Sequence, residues 1–257
     1  MDYQTRAAYI QWCDDHTDAF NTTTPVSEIF GPTIQGEGTH AGRACWFIRT
    51  GGCNLSCAWC DTPYSTGQHG IPLSTVPRIT AEQAIRRIPE NSMVVVTGGE
   101  PLMHLKTTGM QAILHGLRAK GCEVHVETNG TINPGVDEHL IDHFTVSPKL
   151  GVEMANKRHS PSLADWSEWM HKTIFKWVID GLTPDTPLDE VEERIDNLIQ
   201  TSTEHGCLSN NVWIMPEGTT AEELAVGWPL VAQAAANLNI NATHRLHTLA
   251  WGNQKGH

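Results

Sequence analysis

Cys53, Cys57 and Cys60 stand in G-G-C-N-L-S-C-A-W-C-D-T, spaced by three and then two residues. Glycines flank the loop, which follows directly on the apolar run Ala44–Ile48. Three thiolates leave a cubic iron–sulfur cluster one ligand short, because such clusters ordinarily take four. An iron with an open position can bind an outside molecule, and redox chemistry on that molecule can start there. Structural zinc asks for four ligands, often as two C-x2-C pairs. A second pair is missing here, since Cys13, Cys45, Cys122 and Cys207 are scattered singly. A disulfide framework fits less well still: the cysteine count is seven, and the opening M-D-Y-Q-T-R-A-A-Y carries no apolar leader.

The elements that must position these thiols are legible in outline. Residues 1–26 read as an extension, with Tyr3, Ala7, Ile10 and Trp12 on one side of a short helix, and 27–257 as the core. Strands are expected at Ala44–Arg49, Met93–Thr97, Cys122–Glu127, His143–Ser147, Thr173–Ile179, Asn211–Met215 and Arg245–Ala250. Met93–Thr97 is apolar on both faces, as a buried parallel strand should be. Capping pairs Thr80/Gln83, Thr108/Gln111 and Thr220/Glu223 open helices; Gly121 is placed to end the second, and Trp228–Pro229 to interrupt the third. Leu188, Val191, Ile195, Leu198 and Ile199 repeat at helical spacing. Such alternation predicts an α/β fold of parallel strands with helices outside. Active-site loops then lie at the C-terminal strand ends. The cysteine loop, G-G-E-P, T-N-G and S-P-K each follow one of the first four expected strands. Two irregular stretches, Pro63–Ile79 and Leu150–Lys172, are long enough to suggest function. Trp166, Trp169 and Met170 in the second suggest packing across the barrel or at a dimer seam.

The formal net charge of −12 argues against a broad nucleic-acid footprint, although a local basic pocket is compatible with it. No apolar run approaches the length of a membrane span. The expectation is a cytoplasmic small-molecule enzyme, with no nucleic-acid or membrane partner.

C-x3-C-x2-C followed, after the next buried strand, by Thr97-Gly98-Gly99-Glu100-Pro101 resembles the radical S-adenosylmethionine (SAM) superfamily. The resemblance implies a partial (β/α)6-type barrel in which Cys53, Cys57 and Cys60 hold a 4Fe-4S cluster. The open iron then chelates SAM, and reductive cleavage of the sulfonium yields a hydrogen-abstracting 5′-deoxyadenosyl radical. An external one-electron reductant of the flavodoxin or ferredoxin kind is required. Implied SAM contacts are Trp59, Cys60, Asp61, Gly98, Gly99, Glu100, Glu127, Asn129, Ser147, Pro148 and Lys149. The residue types agree: glycines let backbone approach closely, and a strand-end carbonyl or carboxylate accepts from an ammonium. Read alone, Glu127, Asn129 and Ser147–Lys149 are ordinary loop residues.

A narrower resemblance rests on Glu28-Ile29-Phe30, Thr33-Ile34-Gln35-Gly36-Glu37-Gly38, Gly42-Arg43 and Phe47-Ile48-Arg49 upstream of the cysteines, with C-D-T, E-T-N-G, F-K-W-V and W-G-N-Q-K-G downstream. These resemble the 7-carboxy-7-deazaguanine synthase family from Ser27 to the C-terminus. That family converts 6-carboxy-5,6,7,8-tetrahydropterin to the deazapurine, with ring contraction and loss of ammonia, in queuosine-type biosynthesis. It uses magnesium, here implied at Thr62, and is expected to be a homodimer. Implied substrate contacts are Ile34, Gln35, Gly36, Glu37, Arg49, Thr97 and the terminal carboxylate of His257. The chemistry suits a carboxylated pterin. An amide can pair with the ring edge, Glu37 can accept from ring N–H groups, and Arg49 can fork onto a carboxylate. A mutual Glu37–Arg49 ion pair is the plainer reading. The alternatives in function are a radical SAM activase for a glycyl-radical partner, which would not need Q-G-E-G, and a non-enzymatic iron–sulfur redox sensor or electron carrier.

Overall fold

The computed structural model describes residues 3–68, 71–155, 161–252, 254 and 256. One nine-stranded sheet organises them. Its strands are β1 (Thr23–Ile34), β2 (Ala44–Thr50), β3 (Arg78–Thr80), β4 (Met93–Gly98), β5 (Glu123–Thr128), β6 (His143–Val146), β7 (Thr173–Ile179), β8 (Val212–Pro216) and β9 (Asn241–Ala242). Their spatial order is β3-β1-β2-β4-β5-β6-β7-β8-β9. From β2 onward every neighbouring pair is parallel, whereas β1 runs antiparallel to both β2 and β3. Six parallel strands of five residues or thereabouts, with a two-residue seventh, make the open partial barrel expected of the sequence.

The helices are α1 (Tyr3–Asp15), α2 (Pro63–Thr66), α3 (Ala81–Arg86), α4 (Thr108–Ala119), α5 (Leu188–Glu204), α6 (Ala221–Leu238) and α7 (Leu246–Trp251). Strand alternation divides the core between two faces. Val94 and Val96 of β4 pack with Ile113, Leu114 and Leu117 of α4 in the main cluster. Val95 faces the other way and joins Cys45, Phe47 and Met93, with Phe30 against them, on the concave face. That small apolar cluster fills one part of the barrel floor, and the polar loops sit above it at the C-terminal strand ends.

Thr80/Gln83 and Thr220/Glu223 form reciprocal capping boxes. At α4 the cap is Thr107, one residue earlier than expected; Gln111 donates instead to the Leu105 carbonyl at 2.6 Å. Pro229 does not interrupt α6. A proline there removes one intrahelical bond, but buried Leu224, Gly227 and Val231 anchor both halves. The expected strand Arg245–Ala250 is the helix α7. Leu, Ala and an i, i+3 leucine pair favour a helix over so short a stretch, and the sheet's last strand, β9, lies just before it.

The extension is docked rather than loose. Tyr9 of α1 is buried in the main core, and the Trp12 ring stacks on His115 of α4 with centroids 3.7 Å apart. Residue 26, the expected boundary, lies inside β1, where Val26 pairs with Thr50. Trp166 and Trp169 are interior, not at a seam: both pack edge-on against Phe144.

Candidate active site

A cavity of about 420 Å³ opens at the C-terminal ends of β2 and β4–β8 and draws its walls from loops far apart in sequence. Cys53, Cys57 and Cys60 all line it, part-buried and free. The loop that carries them is tied down from three sides. Gly52 and Cys53 donate backbone N–H groups to Ser65 and Thr66 of the α2 turn, at 2.7 and 2.9 Å. The Leu150–Lys172 segment pairs with it, Ala58 N–H to Glu153 O at 2.8 Å and Ala155 N–H to Ser56 O at 2.7 Å. This function of the long segment is not visible in its sequence.

The third tie is the G-G-E-P turn. A Cβ on Gly99 would lie 2.2 Å from the Gly52 carbonyl oxygen, so only glycine lets the two loops touch. Glu100 donates its N–H to the same carbonyl at 2.8 Å. Its side chain turns away from the cavity. It accepts from Leu102 N–H (2.9 Å), Thr128 Oγ1 (2.7 Å) and Asn129 N–H (2.7 Å), in full burial that pushes the carboxyl up to about 7. Glu100 therefore shapes the turns around the site instead of facing a ligand. Trp166 supports the same region from behind, donating Nε1–H to Gly130 O at 2.9 Å.

Most of the remaining expected residues converge. Trp59, Asp61, Thr62, Thr97, Gly98, Gly99, Glu127, Asn129, Ser147 and Lys149 line the cavity, as do Ile34, Gln35, Glu37 and Arg49. Pro148 and Gly36 do not. Gly36 lies beneath α7, where an added Cβ would meet His247 Nδ1 at 1.8 Å. His257 lies outside the described residues. Gln35 donates Nε2–H to Glu127 at 3.0 Å, joining the two polar walls.

The charges are paired differently from the sequence expectation. Arg49 sits opposite Glu28 in the β1–β2 register and bonds it through Nε at 2.7 Å. Among the described residues its two terminal amino groups carry no hydrogen bond. Tyr64 also donates to Glu28, at 2.8 Å, and burial pushes its hydroxyl up to about 12. Glu37 is held instead by Lys176 and by Arg245 Nε at 2.9 Å. Burial alone would raise the Glu37 carboxyl, but Lys176, Arg245 and His247 beside it hold it well below the carboxylate range. Lys149 is part-buried; among the described residues Ser147 Oγ is its one hydrogen-bond partner, at 2.7 Å, and its ammonium lies 5.4 Å from the Trp59 ring. Burial and the Lys176 charge lower its pKa. Glu28, Tyr64, Lys176, Arg245 and His247 are cavity residues the sequence reading gave no role. Lys176 carried a signal, being a charge inside the apolar strand Thr173–Ile179.

The thiols suit a metal cluster. Burial raises all three, Cys53 to about 12, so they would be inert as free nucleophiles; coordinated iron deprotonates a thiol outright. Leu55 N–H already points to Cys53 Sγ at 3.4 Å, the kind of bond that stabilises cluster sulfur. Thr62 Oγ1 stands 4.0 Å from Cys60 Sγ on the cavity wall. One hydroxyl is a thin anchor for magnesium, which favours oxygen and fills its shell with water and ligand oxygens.

Known proteins are similar to this chain in sequence and in fold. The radical SAM superfamily profile matches residues 47–222. The 7-carboxy-7-deazaguanine synthase of Pyrobaculum aerophilum is 33% identical over 232 residues, covering 90% of this chain and 96% of that protein. The enzyme of the same name from Hyperthermus butylicus is 32% identical, over 91% and 95%. In fold, the chain is similar to the crystal structure of QueE from Escherichia coli, with a TM-score of 0.62 at 22% identity over 92% and 98% of the two chains. With the thiols, the glycine turn and the Gln35–Glu37–Arg49 wall gathered on one cavity, the chain belongs to the radical SAM superfamily and, within it, to the 7-carboxy-7-deazaguanine synthase family.

Proposed function

We propose that this chain converts 6-carboxy-5,6,7,8-tetrahydropterin to 7-carboxy-7-deazaguanine, using a 4Fe-4S cluster, SAM and magnesium. The observation that carries the reading is the meeting of the three cysteines and the Gln35–Glu37–Arg49 wall on one cavity. When bound, the cluster and SAM supply a hydrogen-abstracting radical. The chain's own residues orient and neutralise. Gln35, fixed by Glu127, and the ionised Glu37 offer acceptors and a donor to the pterin edge. The unbonded terminal amino groups of Arg49 suit the pterin carboxylate. Lys149 suits a second anionic group, such as the methionyl carboxylate. Thr62 suits magnesium beside the substrate carboxylate, where the ion would offset negative charge during ring contraction. Gly98, Gly99, Asn129 and Ser147 are placed to hold SAM, and Thr97 to face the pterin. The same reading takes the protein to be a cytoplasmic homodimer served by a flavodoxin- or ferredoxin-like reductant, with the first 26 residues as an extension of the core.

The test is anaerobic turnover of reconstituted protein with reductant, SAM and carboxy-tetrahydropterin, read by product mass. A deazapurine product is expected. An intact cluster that cleaves SAM without forming it would remove the proposal. Arg49→Ala should weaken pterin binding while slow cleavage of SAM continues.

A further inference from the structure

The concave face of the sheet carries a second group of side chains that the reaction leaves unused. Along β5, alternation puts Glu123 and His125 on the same face as the cavity residue Glu127. On β6, His143 shares a face with the cavity residue Thr145, and His125 and His143 are register partners. Two residues of strand, about 7 Å, separate these histidines from the cavity residues. His40 completes the group from the turn Gly38–His40. Its ring centroid is 4.3 Å from that of His125 and 4.8 Å from that of His143, and the latter two are 5.3 Å apart. One ligating atom each from His40, Glu123 and His125 lies within 4.8 Å of the others. The buried Nε2 of His143 has no hydrogen-bond partner among the described residues.

Ring packing explains the contacts but not the unsatisfied nitrogen, since buried imidazole nitrogens normally find a partner. Glu123 is oriented from behind. Arg43 donates to both of its oxygens, at 2.9 and 2.7 Å, and Oε1 also meets His125 Nε2 at 2.7 Å. A carboxylate offers about four lone-pair sites, so these three bonds leave one, and ligating carboxylates are typically braced this way. Arg43 is half-exposed, so solvent screens its charge. Neutral imidazole is the ligating form.

We propose that His40, Glu123, His125 and His143 form a binding site for a divalent transition metal of the zinc class, distinct from the cysteine loop and from Thr62. Three imidazoles and one carboxylate match zinc's tetrahedral preference, whereas magnesium and calcium favour all-oxygen shells. His143 stands beside the other three, its ring centroid 4.8 Å from that of His40 and its Nε2 without a partner among the described residues. The ion would tie the Gly38–His40 turn to β5 and β6. That turn follows directly on Gln35 and Glu37, so the metal would brace one wall of the reaction cavity from below.

The experiment uses protein whose cysteines are already occupied by a reconstituted cluster. Anaerobic titration with Co2+ should give one bound ion per chain, with tetrahedral ligand-field absorption and no new thiolate-to-cobalt charge transfer. Zn2+ should displace it. His40→Gln, in a half-exposed turn, and Glu123→Gln should each weaken this binding by more than tenfold, about the lower bound for losing a supporting group, while iron content and melting temperature in the absence of added metal stay near wild type. The proposal is overturned if wild-type protein shows no saturable Co2+ or Zn2+ binding. It is equally overturned if both variants bind as tightly as wild type, or if the spectrum reports thiolate ligation.

Discussion

Replacing Arg245 by methionine tests the ion-pair network of the cavity most directly. The guanidinium donates through Nε to Glu37 at 2.9 Å, through Nη1 to Gly218 O at 2.8 Å and through Nη2 to Asp61 at 3.0 Å. Methionine keeps much of the length and removes all three donors. Arg245 and Glu37 are 14% and 12% exposed, but Asp61 is 47% exposed. The bond to Glu37 is charge-assisted and dry, worth about 1.5–3 kcal/mol. The bond to Asp61 belongs with surface pairs, worth about 0–1 kcal/mol. Lys176 stays on Glu37, so the cost of about 3–5 kcal/mol for orphaning a buried charge is not reached. Those two bonds sum to a loss of about 1.5–4 kcal/mol, or a fall in Tm of about 3–16 °C for a chain of this size. With one flanking cation fewer, the Glu37 carboxyl should move up from its depressed pKa, and KM for the pterin should rise about 10- to 100-fold. Cleavage of SAM in the absence of pterin should be unchanged. Arg245→Lys should not restore the wild type, because one ammonium cannot serve three acceptors spread around a planar fork. Thermal melts and the KM–kcat split decide it. Arg245→Met within about 0.5 kcal/mol of wild type and with an unchanged KM would refute the reasoning, as would an Asp61→Asn variant that does equal damage.

Two further outcomes follow from contacts elsewhere. Gly99→Ala places a Cβ 2.2 Å from Gly52 O and 2.9 Å from Cys53 Cβ, so the turn or the cysteine loop must shift. Overpacking of this kind costs about 1–3 kcal/mol, and iron bound per chain after reconstitution should fall; full iron content would show that the loops separate without consequence. His115, stacked on Trp12, is held by desolvation at about 4 instead of 6.5. Between those two pH values the unfolded chain binds more protons than the folded one, so stability is retained above about 6.5 and declines as pH falls toward 4. His115→Phe keeps the stacking and should flatten the Tm–pH curve in that window, and curves of identical slope for the two proteins would count against the account.

What could be read in the sequence was what is local in it. Cysteine spacing, the G-G-E-P turn and the strand-end position of each polar motif depend on neighbours a few residues away; the cysteines, Gly98, Gly99, Glu127, Asn129, Ser147 and Lys149 line one cavity, while Glu100 and Pro148 do not. The charge partners are not local. Glu37 meets Lys176 and Arg245, 139 and 208 positions along the chain. The plainer alternative of a Glu37–Arg49 ion pair does not form; the antiparallel register of β1 and β2 sets Glu28 across from Arg49. The missed strand β1 is the same error at the level of the fold: its Gly-Pro-rich motif reads as a loop until β2 and β3 pair with it on either side.

That pairing also settles which ligand charge the cavity can accept. The chain is acidic overall, yet four cations, Arg49, Lys149, Lys176 and Arg245, line this one cavity. Counting charges on the wall does not distinguish a cationic from an anionic ligand, because Glu28, Glu37, Asp61, Glu127 and Glu217 line it too. The bonds do. Lys176 and Arg245 are occupied by Glu37, and Glu28 takes only the Nε of Arg49. Among the described residues Lys149 has no carboxylate bonded to it, and desolvation and the Lys176 charge lower its pKa. A partly desolvated cation in that state is stabilised by an anion that reaches it. Among the described residues, Lys149, beside the cysteine loop, and the terminal amino groups of Arg49, beside the Gln35–Glu37 wall, are positive groups with donors not taken by a carboxylate, an arrangement that would suit two carboxylate-bearing ligands bound side by side.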